Sequence, residues 1–179
     1  ESIGIKKNSS ILDVGCGFGD LYEYLLSKGL TDINYTGIDI VPEFICEAKN
    51  RFPKTDFRII DILNEDMAEQ FDFVVLSGTL NKKIPGNHEE YVKAMMTRMF
   101  ELSKVGVSVD FVSSYGDARY PDIYRADPTN IFAFSKKISA RVILRHDYMP
   151  YEFAVYIYKR DKINDIKVFE DFRGDLYCV

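Results

Sequence analysis

The run Ser10-Ile11-Leu12-Asp13-Val14 is apolar and short, and it stops in Gly15-Cys16-Gly17-Phe18-Gly19. Five mostly apolar residues bounded by glycine read as a buried strand. Directly afterwards Leu21, Tyr22, Leu25 and Leu26 recur at helical spacing, and Gly29 supplies a helix stop. The segment therefore predicts strand, glycine loop, helix. Glycine lets a backbone turn tightly and approach a ligand without a Cβ in the way. The N–H groups at the start of the following helix are free to meet an anionic group. A glycine loop has meaning only in such a context, and here the context is present.

Working outward, the same alternation continues. Asn34 to Ile40 reads as a second strand, and Pro42 opens a helix carrying Phe44, Ile45 and Ala48. Asp56 to Ile60 and Phe71 to Leu76 are the third and fourth strands. His88 to Ser103 is a helix with Tyr91, Val92, Met95, Met96, Met99 and Phe100 on its apolar side, where the methionines read as core packing. Val105 to Val112 is a fifth strand. Ser113 to Ala126 is a polar loop rich in Tyr, Gly, Asp and Pro. Asp127 is then an N-cap, with Pro128 at the first position of a helix reaching Ser139. Arg141 to His146 and Phe153 to Lys159 are strand-like and, joined by the short Met149-Pro150 link, form an antiparallel hairpin. The tail offers one more strand at Ile166 to Phe169. Strands alternating with helices specify an α/β fold with a doubly wound, mostly parallel sheet. At 179 residues without repeats or a linker, the chain 1–179 reads as one domain.

Bulk properties narrow the function. A net charge of -5 disfavours a phosphate backbone as partner, so no nucleic acid is expected. No apolar run approaches the ~20 residues that cross a bilayer, so no membrane partner is expected either. Glu1 opens no signal-peptide pattern, and the missing initiator Met points to a trimmed N-terminus. Cys16, Cys46 and Cys178 form no CxxC pair, and His88 and His146 are the only histidines. That is too few ligands for a structural zinc, so no metal is expected, and a reducing, cytoplasmic setting fits best.

Three carboxylates fall in step with the glycines. Asp39 ends the second strand within Tyr35-Thr36-Gly37-Ile38-Asp39-Ile40, where a carboxylate can accept both hydroxyls of a ribose. Asp61 ends the third strand, where it can accept from an exocyclic adenine amine. Asp13 sits beside the glycines, near a ligand ammonium. In an open α/β sheet all these strand ends face one crevice. Cys16 reads as a small loop residue rather than a nucleophile, and Asp72 at a strand start as structural.

These segments resemble the cofactor motifs of the class I S-adenosylmethionine-dependent methyltransferases. Asp13-Val14-Gly15-Cys16-Gly17-Phe18-Gly19 matches that family's D-x-G-x-G-x-G motif residue for residue. Asp39 matches its acidic ribose ligand and Asp61 its adenine-side acid. Phe71-Asp72-Phe73-Val74-Val75-Leu76-Ser77-Gly78 resembles its fourth-strand motif. The likeness is clear from Ser9 to Gly78 and extends in element order to Lys159. It implies a Rossmann-like sheet of seven strands whose last pair is antiparallel, with S-adenosylmethionine as cofactor. The implied cofactor-binding set is Asp13, Gly15, Cys16, Gly17, Gly19, Asp39, Ile40, Asp61, Ile62, Ser77 and Gly78. The family's usual helix before the first strand is missing here, which trimming would explain. A dinucleotide fingerprint is the competing reading, but it expects G-x-G-x-x-G, and glycines at 15, 17 and 19 behind Asp13 do not fit it.

In this topology the acceptor lies beyond the fourth and fifth strands. Ser77 to Lys82 and Ser113-Ser114-Tyr115 are there, with His146, Asp147, Tyr148 and Tyr151 from the hairpin and Tyr120 and Tyr124 as a lid. His146 is the candidate general base, needed only for an acceptor that keeps its proton at neutral pH. Tyr115 and Asn81 are candidates to orient an acceptor. His88, at a helix start, reads as solvated. No N-P-P-Y-type turn follows the fourth strand, and no basic run interleaves with aromatics, so a small-molecule acceptor is expected. No residue pattern specifies an oligomeric state. A module of the same fold that keeps the cofactor without turnover is the alternative.

Overall fold

The computed structural model describes residues 3–117 and 120–159. Seven strands form one sheet: β1 Ser10–Val14, β2 Asn34–Asp39, β3 Asp56–Ile59, β4 Phe71–Leu76, β5 Ser103–Val112, β6 Arg141–Arg145 and β7 Glu152–Tyr158. Four α-helices connect them: α1 Asp20–Ser27, α2 Pro42–Arg51, α3 His88–Leu102 and α4 Pro128–Ile138, with a short 3-10 turn at Thr79–Asn81. The strand order is β3-β2-β1-β4-β5-β7-β6. Pairs from β3 to β5 are parallel, whereas β7 runs antiparallel to both β5 and β6. The expected hairpin is therefore inverted in position: its second strand slots between β5 and the first.

Period-two alternation sends successive side chains to opposite faces of each strand. On β1, Ile11 joins a layer with Leu25, Tyr35, Ile45, Phe57 and Val75 beneath α1 and α2. Leu12 and Val14 join the larger layer with Val74, Leu76, Val107, Val109 and Phe111, covered by Met96 and Met99 of α3 and Ile131 of α4. The methionines of α3 are thus core, as their spacing suggests. Ser10 and Asp72 exchange side-chain-to-backbone bonds of 2.8 Å each way, which locks the starts of β1 and β4 together and confirms a structural Asp72.

Among the boundaries that differ from the pattern, two have consequences. β5 begins at Ser103, directly where α3 ends at Leu102, because the Ser103 hydroxyl and N–H both bond to Phe100 and turn the chain without a loop. His146 falls just past β6, which ends at Arg145. The candidate strand Ile166 to Phe169 and Cys178 lie outside the described residues. No helix among the described residues is long and apolar enough to cross a membrane. Among the same residues no group of His, Cys, Asp and Glu is arranged to hold a metal.

Candidate active site

The glycine loop is fastened to the neighbouring strand. The N–H groups of Gly15 and Cys16 both donate to the Ile38 carbonyl, at 2.8 and 2.9 Å. Gly15 has φ +71°, and a Cβ placed there would lie 2.0 Å from Thr79 Oγ1. Only glycine permits this contact between the loop and the turn after β4. Gly17 also has positive φ, but a Cβ there would meet nothing within 4 Å. The loop is closed against protein at Gly15 and open at Gly17, so a ligand can lie over the second position. Gly19 then caps the N-terminus of α1.

Asp39 is buried at the end of β2, and both its oxygens are oriented by backbone. Gly17 N–H donates to Oδ2 at 3.1 Å and Val41 N–H to Oδ1 at 3.0 Å. A carboxylate has roughly four acceptor positions, so each oxygen keeps one for a ligand hydroxyl. Asp61 is held the same way, accepting from Leu63 N–H at 3.0 Å and the Asn64 amide at 2.7 Å, while its own N–H bonds to Glu65. Between the two acids runs a crevice with apolar walls from Ile40, Ile60, Ile62, Tyr91 and Met95, floored by Val14 and Gly15. Ile40 is 65 % exposed, an apolar side chain left in solvent beside a carboxylate. The crevice thus offers flat apolar contact with hydrogen-bond acceptors at both ends, the pattern of a small-molecule site.

Asp13 lies deeper. It is 3 % exposed and accepts a short hydrogen bond from the Tyr35 hydroxyl. Burial pushes its carboxyl up to about 7, opposed by the Tyr35 bond and reinforced by the charges of Asp39, Asp110 and Asp20. A nearby ligand ammonium would reverse that shift. Burial, with Asp13 and Asp39 adding to it, pushes the Cys16 thiol up to about 12, so it stays protonated and is no nucleophile. Ser77 and Gly78, at the end of β4, are both held by Asp110 of β5: the Ser77 hydroxyl donates to Oδ2, and Gly78 N–H to Oδ1 at 2.8 Å.

The three candidate catalytic residues separate into two kinds. His146 and Tyr115 come together, with ring centroids 6.1 Å apart, and His146 also packs edge-on to Phe153. Tyr115 is 64 % exposed and its hydroxyl meets Thr129 Oγ1 at 3.2 Å. Asn81 is committed to structure. Its Oδ1 accepts from Val112 N–H at 2.9 Å, and its carbonyl accepts from Tyr124 N–H at 2.7 Å. It braces the turn after β4 against β5.

His88 is buried rather than solvated. Its Nδ1 accepts from Ile84 N–H at 3.2 Å, and Nε2 lies 3.0 Å from the Leu80 carbonyl, so the neutral ring with hydrogen on Nε2 satisfies both. Tyr124 stacks on it at 4.0 Å between centroids, which takes Tyr124 out of the expected lid and leaves Tyr120 exposed. A helix start is solvated by default, but the Leu80 to Ile84 turn folds back over this one.

Sequence reasoning placed Thr79 only within the acceptor-side stretch Ser77 to Lys82, and it missed Tyr91, Met95 and Asp110 as site residues. The crevice contacts of Thr79, Tyr91 and Met95 are revealed only by packing. Asp110 carries a signal: in Val107-Ser108-Val109-Asp110-Phe111 the apolar residues alternate with polar ones, which places Ser108 and Asp110 together on the opposite face.

A mostly parallel sheet in this strand order, with β7 antiparallel, a glycine loop after β1 and an acid ending β2, defines a Rossmann-like methyltransferase domain. A family profile described as "Methyltransferase domain" matches residues 5–152. The chain belongs to the class I S-adenosylmethionine-dependent methyltransferases. Rv1506c of Mycobacterium tuberculosis, provisionally named a methyltransferase, is 35% identical over 159 residues, covering 84% of this chain and 93% of that protein. Malonyl-[acyl-carrier protein] O-methyltransferase of Acetivibrio thermocellus is 34% identical over 104 residues, 51% of this chain but only 36% of that longer protein. Among solved structures, magnesium protoporphyrin IX methyltransferase of Synechocystis PCC 6803 with bound SAM superimposes with a TM-score of 0.66 at 17% identity, covering 86% of this chain and 71% of that one.

Proposed function

We propose that this chain binds S-adenosylmethionine in the crevice between Asp39 and Asp61 and transfers its methyl group to a small-molecule acceptor. One observation carries the reading. The Gly17 N–H that orients Asp39 belongs to the position of the loop where space is open, so carboxylate and bare backbone meet at one point. A nucleoside laid there has its ribose hydroxyls at Asp39, its base between Ile40, Ile62 and Met95, and its amine edge toward Asp61. The glycine loop, Asp13 and Ser77 would hold the methionine end.

The cofactor supplies an electrophilic methyl on a sulfonium, whose leaving group is a neutral thioether. The protein therefore has no departing anion to stabilise, and its own residues act by alignment and exclusion of water. Ser77 and Gly78, fixed by Asp110, form the wall against which an acceptor is aligned. His146, beside Tyr115, can take the proton of a hydroxyl-type acceptor and is dispensable for an acceptor already deprotonated.

Calorimetry with S-adenosylhomocysteine and with NAD tests the binding half: saturable binding of the first and none of the second is expected. Release of S-adenosylhomocysteine from S-adenosylmethionine across a panel of small acceptors tests turnover. Binding without release from any acceptor would favour a cofactor-binding module of this fold.

A further inference from the structure

We propose that the open cavity on the far side of the Ser77-Gly78 turn is the acceptor pocket, and that Asp110 at its floor selects an acceptor bearing a cationic amine. The proposal deepens the methyltransferase reading and rests on it.

The cavity measures about 320 Å3. Ser77 and Asp110 line it from β4 and β5, Tyr156 from β7, and Arg145 and Tyr148 from the end of β6, with Leu21 of α1 closing the near side. Its position follows from the register. Leu76 pairs with Val109, so the next residues, Ser77 and Asp110, sit side by side at the carboxyl edge. The same turn presents Thr79 to the nucleoside crevice and Ser77 to this cavity. A cofactor laid across the glycine loop from Asp39 therefore delivers its reactive end where the two spaces meet.

The chemistry of the walls names the ligand. Asp110 accepts one hydrogen bond at each oxygen, from Ser77 and Gly78, and each oxygen retains an acceptor position. It is a half-buried carboxylate, for which a cation is the partner that best compensates the water it has lost. Arg145, the cation at the rim, is engaged with Asp147 by two bonds of 3.0 Å. Asp110 is thus the carboxylate that faces the cavity from its floor, while the rim cation has Asp147 as a partner. Tyr148 and Tyr156 add aromatic faces, which attract ammonium groups. Recognition requires no bond change: the amine is a handle, and the atom that receives the methyl can lie elsewhere on the acceptor.

The experiment uses the full chain saturated with S-adenosylhomocysteine, with binding followed by backbone amide shifts in NMR. Two probes of matched shape are compared, phenethylamine and 3-phenylpropionate. Phenethylamine is expected to move the amides of Gly78 and Ser108, and 3-phenylpropionate to leave them in place. D110N should weaken the amine by about tenfold or more, the loss of one charge-assisted hydrogen bond. Y148L removes an exposed wall far from the core and guards against a D110N variant that misfolds; it should weaken the same probe about threefold or more. Equal response to both probes, no response to the amine, or amine binding unchanged in both variants overturns the proposal. Wild-type protein that does not bind S-adenosylhomocysteine in calorimetry overturns the methyltransferase reading instead, so the two failures are distinct.

Discussion

Titration of Asp13 should dominate the pH dependence of stability in the ligand-free protein. Its carboxyl rises from the usual 3.8 to about 7 because it is buried, and the Tyr35 bond only partly offsets that. A folded-state value above the unfolded one means that the native state holds the proton more tightly. The corresponding stability is complete below pH about 4 and is lost as pH rises through about 7. At about 1.4 kcal/mol per tenfold change in proton affinity, the interval from 3.8 to about 7 spans roughly 4 kcal/mol. Roughly half of it, about 2 kcal/mol, falls between pH about 5.5 and about 8, a range accessible to urea titration. Asp13→Asn keeps an acceptor for the Tyr35 hydroxyl and removes the titration. The comparison is therefore of slopes: wild type should lose about 2 kcal/mol across that range relative to the variant, whatever the offset between them. Asp110 is also raised by burial, but it is present in both proteins and cancels. Parallel pH curves for wild type and variant would refute a protonated, buried Asp13.

The remaining expectations concern the loop, the crevice and the turn above α3. Affinity for S-adenosylhomocysteine should rise as pH increases through about 7, because the charged Asp13 is the form that attracts its ammonium, and calorimetry on Asp13→Asn should show that dependence flattened. Asp39→Ala should weaken S-adenosylhomocysteine by about 1–3 kcal/mol in the same assay, since it removes a charged acceptor and frees the Gly17 and Val41 N–H groups. Gly15→Ala should lower stability by about 2 kcal/mol or more in urea titration, combining positive φ with a 2.0 Å approach to Thr79 Oγ1. His88→Ala should cost about 2–4 kcal/mol by the same measurement, because the Ile84 N–H and Leu80 carbonyl lose their partner and the cavity beneath Tyr124 opens.

The fold was legible because its signals are local. Ile11, Leu12 and Val14 are strand-formers ended by glycine, and Asp127-Pro128 marks a helix start by chemistry confined to a few residues: Asp127 Oδ1 accepts from Thr129 N–H at 2.7 Å. The residues of the proposed cofactor half stand out in the sequence for a related reason. A ligand that rests on backbone demands glycine, and a carboxylate at a strand end is visible in the chain order. What was not legible depends on contacts between distant segments. The insertion of β7 between β5 and β6 satisfies both neighbours' edges, a choice that no local pattern states. His88 gained its burial from the Leu80 to Ile84 turn just ahead of its helix and from Tyr124 stacked on it, and Asn81 its structural duty from Val112 and Tyr124 on distant segments.

The turn Ser77-Gly78-Thr79 gives this division a physical basis. On one side Thr79 rests on Gly15 and so shares the cofactor loop's requirement for bare backbone. On the other, Ser77 and Gly78 hang from Asp110, a side chain on a neighbouring strand. On the proposed reading the methyl donor is gripped partly by main chain, which sequence constrains through glycine, and partly by the carboxylates of Asp39 and Asp61 at the strand ends. An acceptor is distinguished by side chains, which any strand register can supply and which the sequence therefore records only as alternation. The same three residues join the two halves rigidly: displacement of Thr79 by a side chain at position 15 must carry Ser77 with it and disturb the Asp110 bonds. On the proposed reading, alignment between donor and acceptor is thus set by one short turn, held by the Asp110 hydrogen bonds on one side and by packing against Gly15 on the other.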